Sequence, residues 1–67
     1  MYTKYTKLRD ERNLNDLNVA NATGVPVTTL YDWKKRVATD SKAELSFSNI
    51  EKIARFFGVS LDYFKGV

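Results

Sequence analysis

A chain of 67 residues has room for one domain, and this one carries neither cysteine nor histidine. A disulfide staple is therefore excluded, and zinc would lack its usual nitrogen and sulfur ligands. Eleven cations against eight anions leave a net charge of +3, a mild bias toward nucleic acid or an acidic partner. No apolar run approaches the roughly 20 residues of a membrane span, and the opening MYTKYTKLRDER is too polar for a signal peptide. A soluble, cytoplasmic protein is expected, with no membrane partner. A domain this small buries only about 60% of its unfolded surface, so modest stability is expected.

The first periodic segment covers residues 3–12. Met1, Tyr5, Leu8 and Arg12 recur at helical spacing, with Leu8 the firmest core candidate and Thr3 a potential cap. Asn13 suits a left-handed exit. Leu14 then reads as a buried link. Asn15 is a good N-cap for a second helix running to about Thr23, with Asp16 in the first turn, where the helix dipole favours an anion. Val19 and Ala20 are its core positions. Leu17 either covers the first or fourth segment or stands on the surface. Asn15, Asn18 and Asn21 recur every three residues. They read either as a solvated face or as donors aimed at a phosphate strand, since helix N-termini attract phosphate.

Gly24 is placed to end that helix in the left-handed region. A third helix starts at Pro26 or Val27, where a proline N–H is not missed. At 100° per residue, Leu30, Trp33 and Val37 share one side. Thr28, Tyr31, Asp32 and Lys35 share the opposite side at i, i+3, i+4, i+7. One face is fit for burial. The other is a polar stripe on a rod about 10 Å wide, a shape that enters the DNA major groove and reads base edges. Residues 36–45 show no clear period, and Thr39, Asp40 and Ser41 are turn formers, so a loop of about nine residues is expected. Arg36 and Lys42 within it read equally as solvated charges or as phosphate contacts.

Ser46 caps a fourth helix over 47–57, with Phe47, Ile50, Ile53, Ala54 and Phe57 as its apolar stripe and Gly58 as its stop. Ser60 opens a short fifth helix over 61–65, with Leu61 and Phe64 facing inward. Phe56, Tyr63 and Val67 remain over. They read as ordinary satellite packing or as a dimer seam. The expected fold is all-α, a bundle of five short helices in one domain with a central helix-turn-helix.

Three stretches carry a family resemblance: LRDERNL, DLNVANATGVPVTTLYDWKK and NIEKIARFFGVSLDYF. Together they span nearly all of the chain, and it resembles the lambda-repressor-like helix-turn-helix domains of the Cro/repressor type. These occur in phage repressors and small bacterial regulators. The resemblance implies base contacts from Val27, Thr28 and Asp32, with Tyr31 beside them, and core roles for Val19, Ala20, Leu30 and Trp33. It implies phosphate anchoring at the starts of the second and fourth helices, that is, at Asn15 and Asp16 and at Ser46, Ser48 and Asn49. It also implies a weak homodimer on a two-fold symmetric operator in a bacterial host cell.

Some positions depart from the family pattern. Asp16 stands where glutamine is common, and an anion there repels phosphate unless it turns inward. Lys34 stands where a glutamate often pairs with the arginine at position 9, so Arg9 needs another partner or none. The connection after the third helix is longer than usual. On this reading Thr28 and Tyr31 donate or accept at base edges and Val27 touches a thymine methyl. Asp32 accepts from a cytosine amino group, excludes sites by its charge, or pairs locally with Arg36. Lys34, Lys35, Arg36 and Lys42, with Asn15 and Asn18, supply phosphate contacts. The alternative is a protein-interaction module of the same fold, anti-repressor or antitoxin-like. An enzyme is not expected, because no nucleophile–base pair, phosphate loop or carboxylate cleft is visible. No cofactor and no small-molecule substrate are expected.

Overall fold

The computed structural model describes residues 1–65, which form five helices: α1 (Tyr2–Glu11), α2 (Asp16–Thr23), α3 (Val27–Thr39), α4 (Phe47–Phe57) and α5 (Leu61–Lys65). Val67 lies outside the described residues. The fold is all-α. Among the described residues no helix is long and apolar enough to cross a membrane.

Most helix ends follow from local chemistry. The Asn15 side chain accepts from the Asn18 N–H at 2.8 Å, and the Asn18 side chain accepts from the Asn15 N–H at 3.0 Å, a reciprocal box that opens α2. Gly24 closes α2 at φ +84°, its N–H bonded to the Ala20 carbonyl at 2.9 Å. A Cβ at Gly24 would meet nothing within 4 Å, so the demand for glycine there is conformational and not steric. The Ser46 hydroxyl accepts from the Asn49 N–H at the start of α4, and Gly58 ends α4 in the left-handed region. Asn13 also takes a positive φ, 56°, as expected of an asparagine exit.

Several expectations are corrected. Helix α1 begins one residue earlier than expected, with Met1 as its N-cap, so Thr3 lies inside the helix and caps nothing. Its carbonyl accepts the Thr6 hydroxyl instead. Tyr5, and not Leu8, is the buried residue of α1. A tyrosine can be buried completely when its hydroxyl finds an acceptor, and Asp16 provides one. Leu8 and Leu14 are only half-buried. Phe47 is 60% exposed, because as the first residue of α4 it precedes the turn that meets the core.

The connection after α3 is also corrected. The helix continues through Arg36, Val37, Ala38 and Thr39, and the turn comes at Asp40. No glycine or proline interrupts those residues, and Val37 extends the apolar side by another turn. The Asp40 N–H still bonds the Arg36 carbonyl at 2.8 Å, while the Asp40 side chain accepts from the Lys42 N–H at 3.0 Å. The connection is therefore 40–46, shorter than the sequence pattern suggests.

Tyr5, Val19, Ala20, Val25, Leu30, Trp33, Leu45, Ile50, Ile53, Ala54, Phe57 and Phe64 form the buried core. Val25 and Leu45 enter it from connections. Helix α2 packs on α3 and α4, while α1 packs on α3 and α5. Trp33 is at its centre, edge-on to Tyr2 at 4.9 Å and 5.3 Å from the Tyr5 ring. Its indole N–H donates to the Ala43 carbonyl at 3.0 Å, which ties α3 to the connection beyond it.

Candidate nucleic-acid interface

Burial of Leu30 and Trp33 orients α3. The side opposite them is uncovered: Thr28, Tyr31, Asp32 and Lys35 are all exposed, Tyr31 by 48%. Lys34 is exposed as well, and among the described residues neither Lys34 nor Lys35 makes an ion pair. Val27 is half-buried and packs against the core, so only part of its isopropyl group faces out. Asp32 pairs with Arg36 one turn later, Oδ2 to Nε at 3.0 Å. Arg36 Nη1 also donates to the Glu44 carbonyl at 3.2 Å. Local pairing, one of the readings open for Asp32, is thus present in the structure. Lys42 is exposed on the connection.

At the start of α2 the two asparagines are exposed, and their carbonyl oxygens are spent on the capping box. Their side-chain NH₂ groups have no partner among the described residues. Ser48 is exposed and Asn49 half-buried at the start of α4, where Ser46 is the cap.

Asp16 does not face outward as an unshielded anion. It accepts the Tyr5 hydroxyl at 2.6 Å and the Arg9 guanidinium at 3.0 Å, both on Oδ1. Its side chain is only 13% exposed. Arg9 thus finds its carboxylate on α2, with Asp10 as a second partner at 2.9 Å, so the lysine at position 34 leaves it no less well paired. The sequence signal existed, in an arginine needing an anion and an acid needing cover, but nothing local joined the two.

Burial pushes the Tyr5 hydroxyl well above the ordinary range for tyrosine. Its hydrogen bond to Asp16 and the carboxylate's charge push the same way. Burial also raises Tyr2, with the Asp16 charge adding to it. A raised folded pKa means the unfolded chain releases its proton first, from about pH 10. The contribution to stability is complete below that pH and is lost progressively as pH rises from there through the raised folded value. Urea midpoints measured between about pH 8 and about pH 11 should therefore fall, and Tyr5→Phe should flatten the fall relative to wild type. Equal slopes in the two proteins would contradict this assignment.

Of the residues considered for a dimer seam, Phe56 and Tyr63 are both half-buried. Phe56 lies 5.0 Å from the Phe57 ring and walls a concavity of about 340 Å³ with Ala22, Thr23, Lys52 and Arg55. Tyr63 packs on Phe64 instead, with Lys4 Nζ 5.4 Å above its ring. Among the described residues no ring pair links Phe56 to Tyr63. No group of His, Cys, Asp or Glu suited to a metal ion occurs among the described residues.

The helix-turn-helix family profile matches residues 6–64, nearly the whole chain, and so takes in the α2–turn–α3 unit and its supporting helices. The chain belongs to the lambda-repressor/Cro-like helix-turn-helix family. This is a family of DNA-binding regulators, so a helix-turn-helix regulator with DNA as its partner is the reading that membership supports. No curated protein and no solved structure matches the chain significantly. In this helix-turn-helix protein α3 occupies the position of the second helix of the motif, and its uncovered polar side is the candidate interface.

Proposed function

We propose that this helix-turn-helix protein is a sequence-specific reader of double-stranded DNA, a transcriptional regulator of the phage-repressor kind acting in a bacterial cytoplasm. One observation carries the reading. The face of α3 bearing Thr28, Tyr31, Asp32 and Lys35 is exposed, while the opposite face is locked into the core by Leu30 and Trp33. A rigid rod with a free polar stripe is what the major groove accommodates. Thr28 and Tyr31 offer hydroxyls to base edges, Asp32 a carboxylate, and the outer part of Val27 a methyl contact for thymine. Lys34, Lys35 and Lys42 neutralise phosphates, and the amide donors of Asn15 and Asn18, with Ser46, Ser48 and Asn49 at the other helix start, fix register. A single domain of this size makes few contacts. A weak homodimer on two half-sites about 34 Å apart would supply the rest, with Phe56 and Tyr63 as the contact residues. Repression then results from occlusion of a promoter.

Enrichment from a random duplex pool at two salt concentrations tests this reading. A short, two-fold symmetric sequence should emerge, with affinity falling steeply as salt rises. Thr28→Ala and Tyr31→Ala should each weaken the selected site by about tenfold or more and leave non-specific binding in place. The exposed Leu17 and Phe47, 50% and 60% accessible, favour the second reading, a protein-interaction module. That reading prevails if no sequence is enriched and the two alanine variants bind DNA as wild type does.

A further inference from the structure

We propose that Arg36 is a positioning residue that fixes Asp32 as a reader of a cytosine amino group. The inference rests on α3 being the major-groove helix. Asp32 precedes Arg36 by one turn, the favourable order for such a pair. Arg36 Nε holds Asp32 Oδ2 at 3.0 Å. A long, half-exposed side chain would ordinarily wander, but this one is anchored a second time, by Nη1 on the Glu44 carbonyl at 3.2 Å.

That carbonyl is itself a fixed point. The preceding carbonyl, of Ala43, accepts the Trp33 indole N–H at 3.0 Å, and the next side chain, Leu45, is buried in the core. Arg36 is therefore stretched between a rigid backbone site and one carboxylate oxygen.

Three consequences meet at Asp32. Its charge is offset before it enters a groove walled by phosphates, where a bare carboxylate would be repelled. One oxygen, Oδ2, is occupied and sets the plane of the carboxylate. The other, Oδ1, has no partner among the described residues and can accept. Cytosine presents its N4 amino donor to the major groove without a neighbouring acceptor. Guanine presents only acceptors, as thymine does apart from its methyl, and adenine sets its N7 acceptor beside the N6 donor. A carboxylate held in one orientation therefore favours a C·G pair. The exposed ion pair adds little to stability, so variants at Arg36 should fold.

The test compares wild type with Arg36→Ala, Arg36→Lys and Asp32→Asn in the same random-duplex enrichment, with Trp33 fluorescence confirming the fold of each. Wild type should enrich cytosine at one position of each half-site. Arg36→Ala and Arg36→Lys should both lower that preference by about tenfold and leave the other positions unchanged. Arg36→Lys keeps the charge but loses the fork, so its salt dependence should match wild type. Asp32→Asn should move the preference toward adenine, whose N6 and N7 match an amide.

A different pattern overturns the proposal. If Arg36→Ala weakens all sequences equally and lowers the salt slope by about one while Arg36→Lys behaves as wild type, Arg36 is a phosphate contact only. Undiminished cytosine preference in both Arg36 variants sinks it equally. If wild type enriches no sequence at all, the DNA-reading assignment itself has failed, and this inference falls with it.

Discussion

Trp33→Ala is expected to abolish cooperative folding at room temperature. Trp33 is fully buried, packs edge-on to Tyr2 and at a tilt against Tyr5, and donates its indole N–H to the Ala43 carbonyl. Truncating a buried tryptophan to alanine costs about 3–5 kcal/mol. A domain of this length without a disulfide holds only about 3–5 kcal/mol in total, so the loss consumes the margin. The helices have little reason to persist alone, since isolated helices shorter than about 12–15 residues are marginal in water. Far-UV circular dichroism should show a broad, low-amplitude melt. Trp33→Phe keeps much of the ring contact but strands the Ala43 carbonyl, and should retain a sigmoidal transition shifted down by about 1–2 kcal/mol. A Trp33→Ala protein melting within a few degrees of wild type would show that this indole is not the keystone of the core.

Asp16→Ala should also be strongly destabilising for a partly exposed residue, at about 2–3 kcal/mol. It removes the acceptor from the Tyr5 hydroxyl, whose residue is fully buried, and one of two anions from Arg9. It also removes the first-turn anion that complements the α2 dipole. The damage should depend on Tyr5. In a Tyr5→Phe background, where no hydroxyl needs a partner, Asp16→Ala should cost clearly less, giving a coupling energy of about 1 kcal/mol or more by double-mutant cycle in urea. Additive losses would mean that the 2.6 Å contact contributes nothing of its own.

Much of the architecture was legible along the chain because it is decided locally. Asn15, Gly24, Ser46 and Gly58 set helix ends through bonds and backbone angles within a few residues of themselves. The two-sided character of α3 likewise comes from 100° steps, and its polar side is exposed as that pattern requires. What escaped is decided across helices. Nothing near Tyr5 announces that its acceptor is Asp16, eleven residues on and in another helix. Val25 and Leu45 join the core from connections, where no periodicity marks them. The end of α3 lies later than its residue types suggest. Turn formers at 39–41 mask the absence of any helix breaker, and the turn uses only Asp40 and its successors. For the interface, the stripe of Thr28, Tyr31, Asp32 and Lys35 could be read in advance, but the Glu44 carbonyl that steadies Arg36 could not. A backbone oxygen carries no residue signature.

The first helix does its holding at long range. Lys4 donates to the Tyr63 carbonyl at 2.8 Å, 59 positions away, and Arg12 donates to the Phe57 carbonyl at 2.9 Å, 45 positions away. Both cations also lie over aromatic rings at the far end of the chain. Within this domain, therefore, α1 completes its docking only when the end of α4 and α5 are in place. Tyr5 meets Phe57 as well as Trp33, so its surroundings are closed from both halves of the chain. Closure of the domain thus depends on contacts of high sequence separation, which carry a loop-closure cost before they stabilise anything.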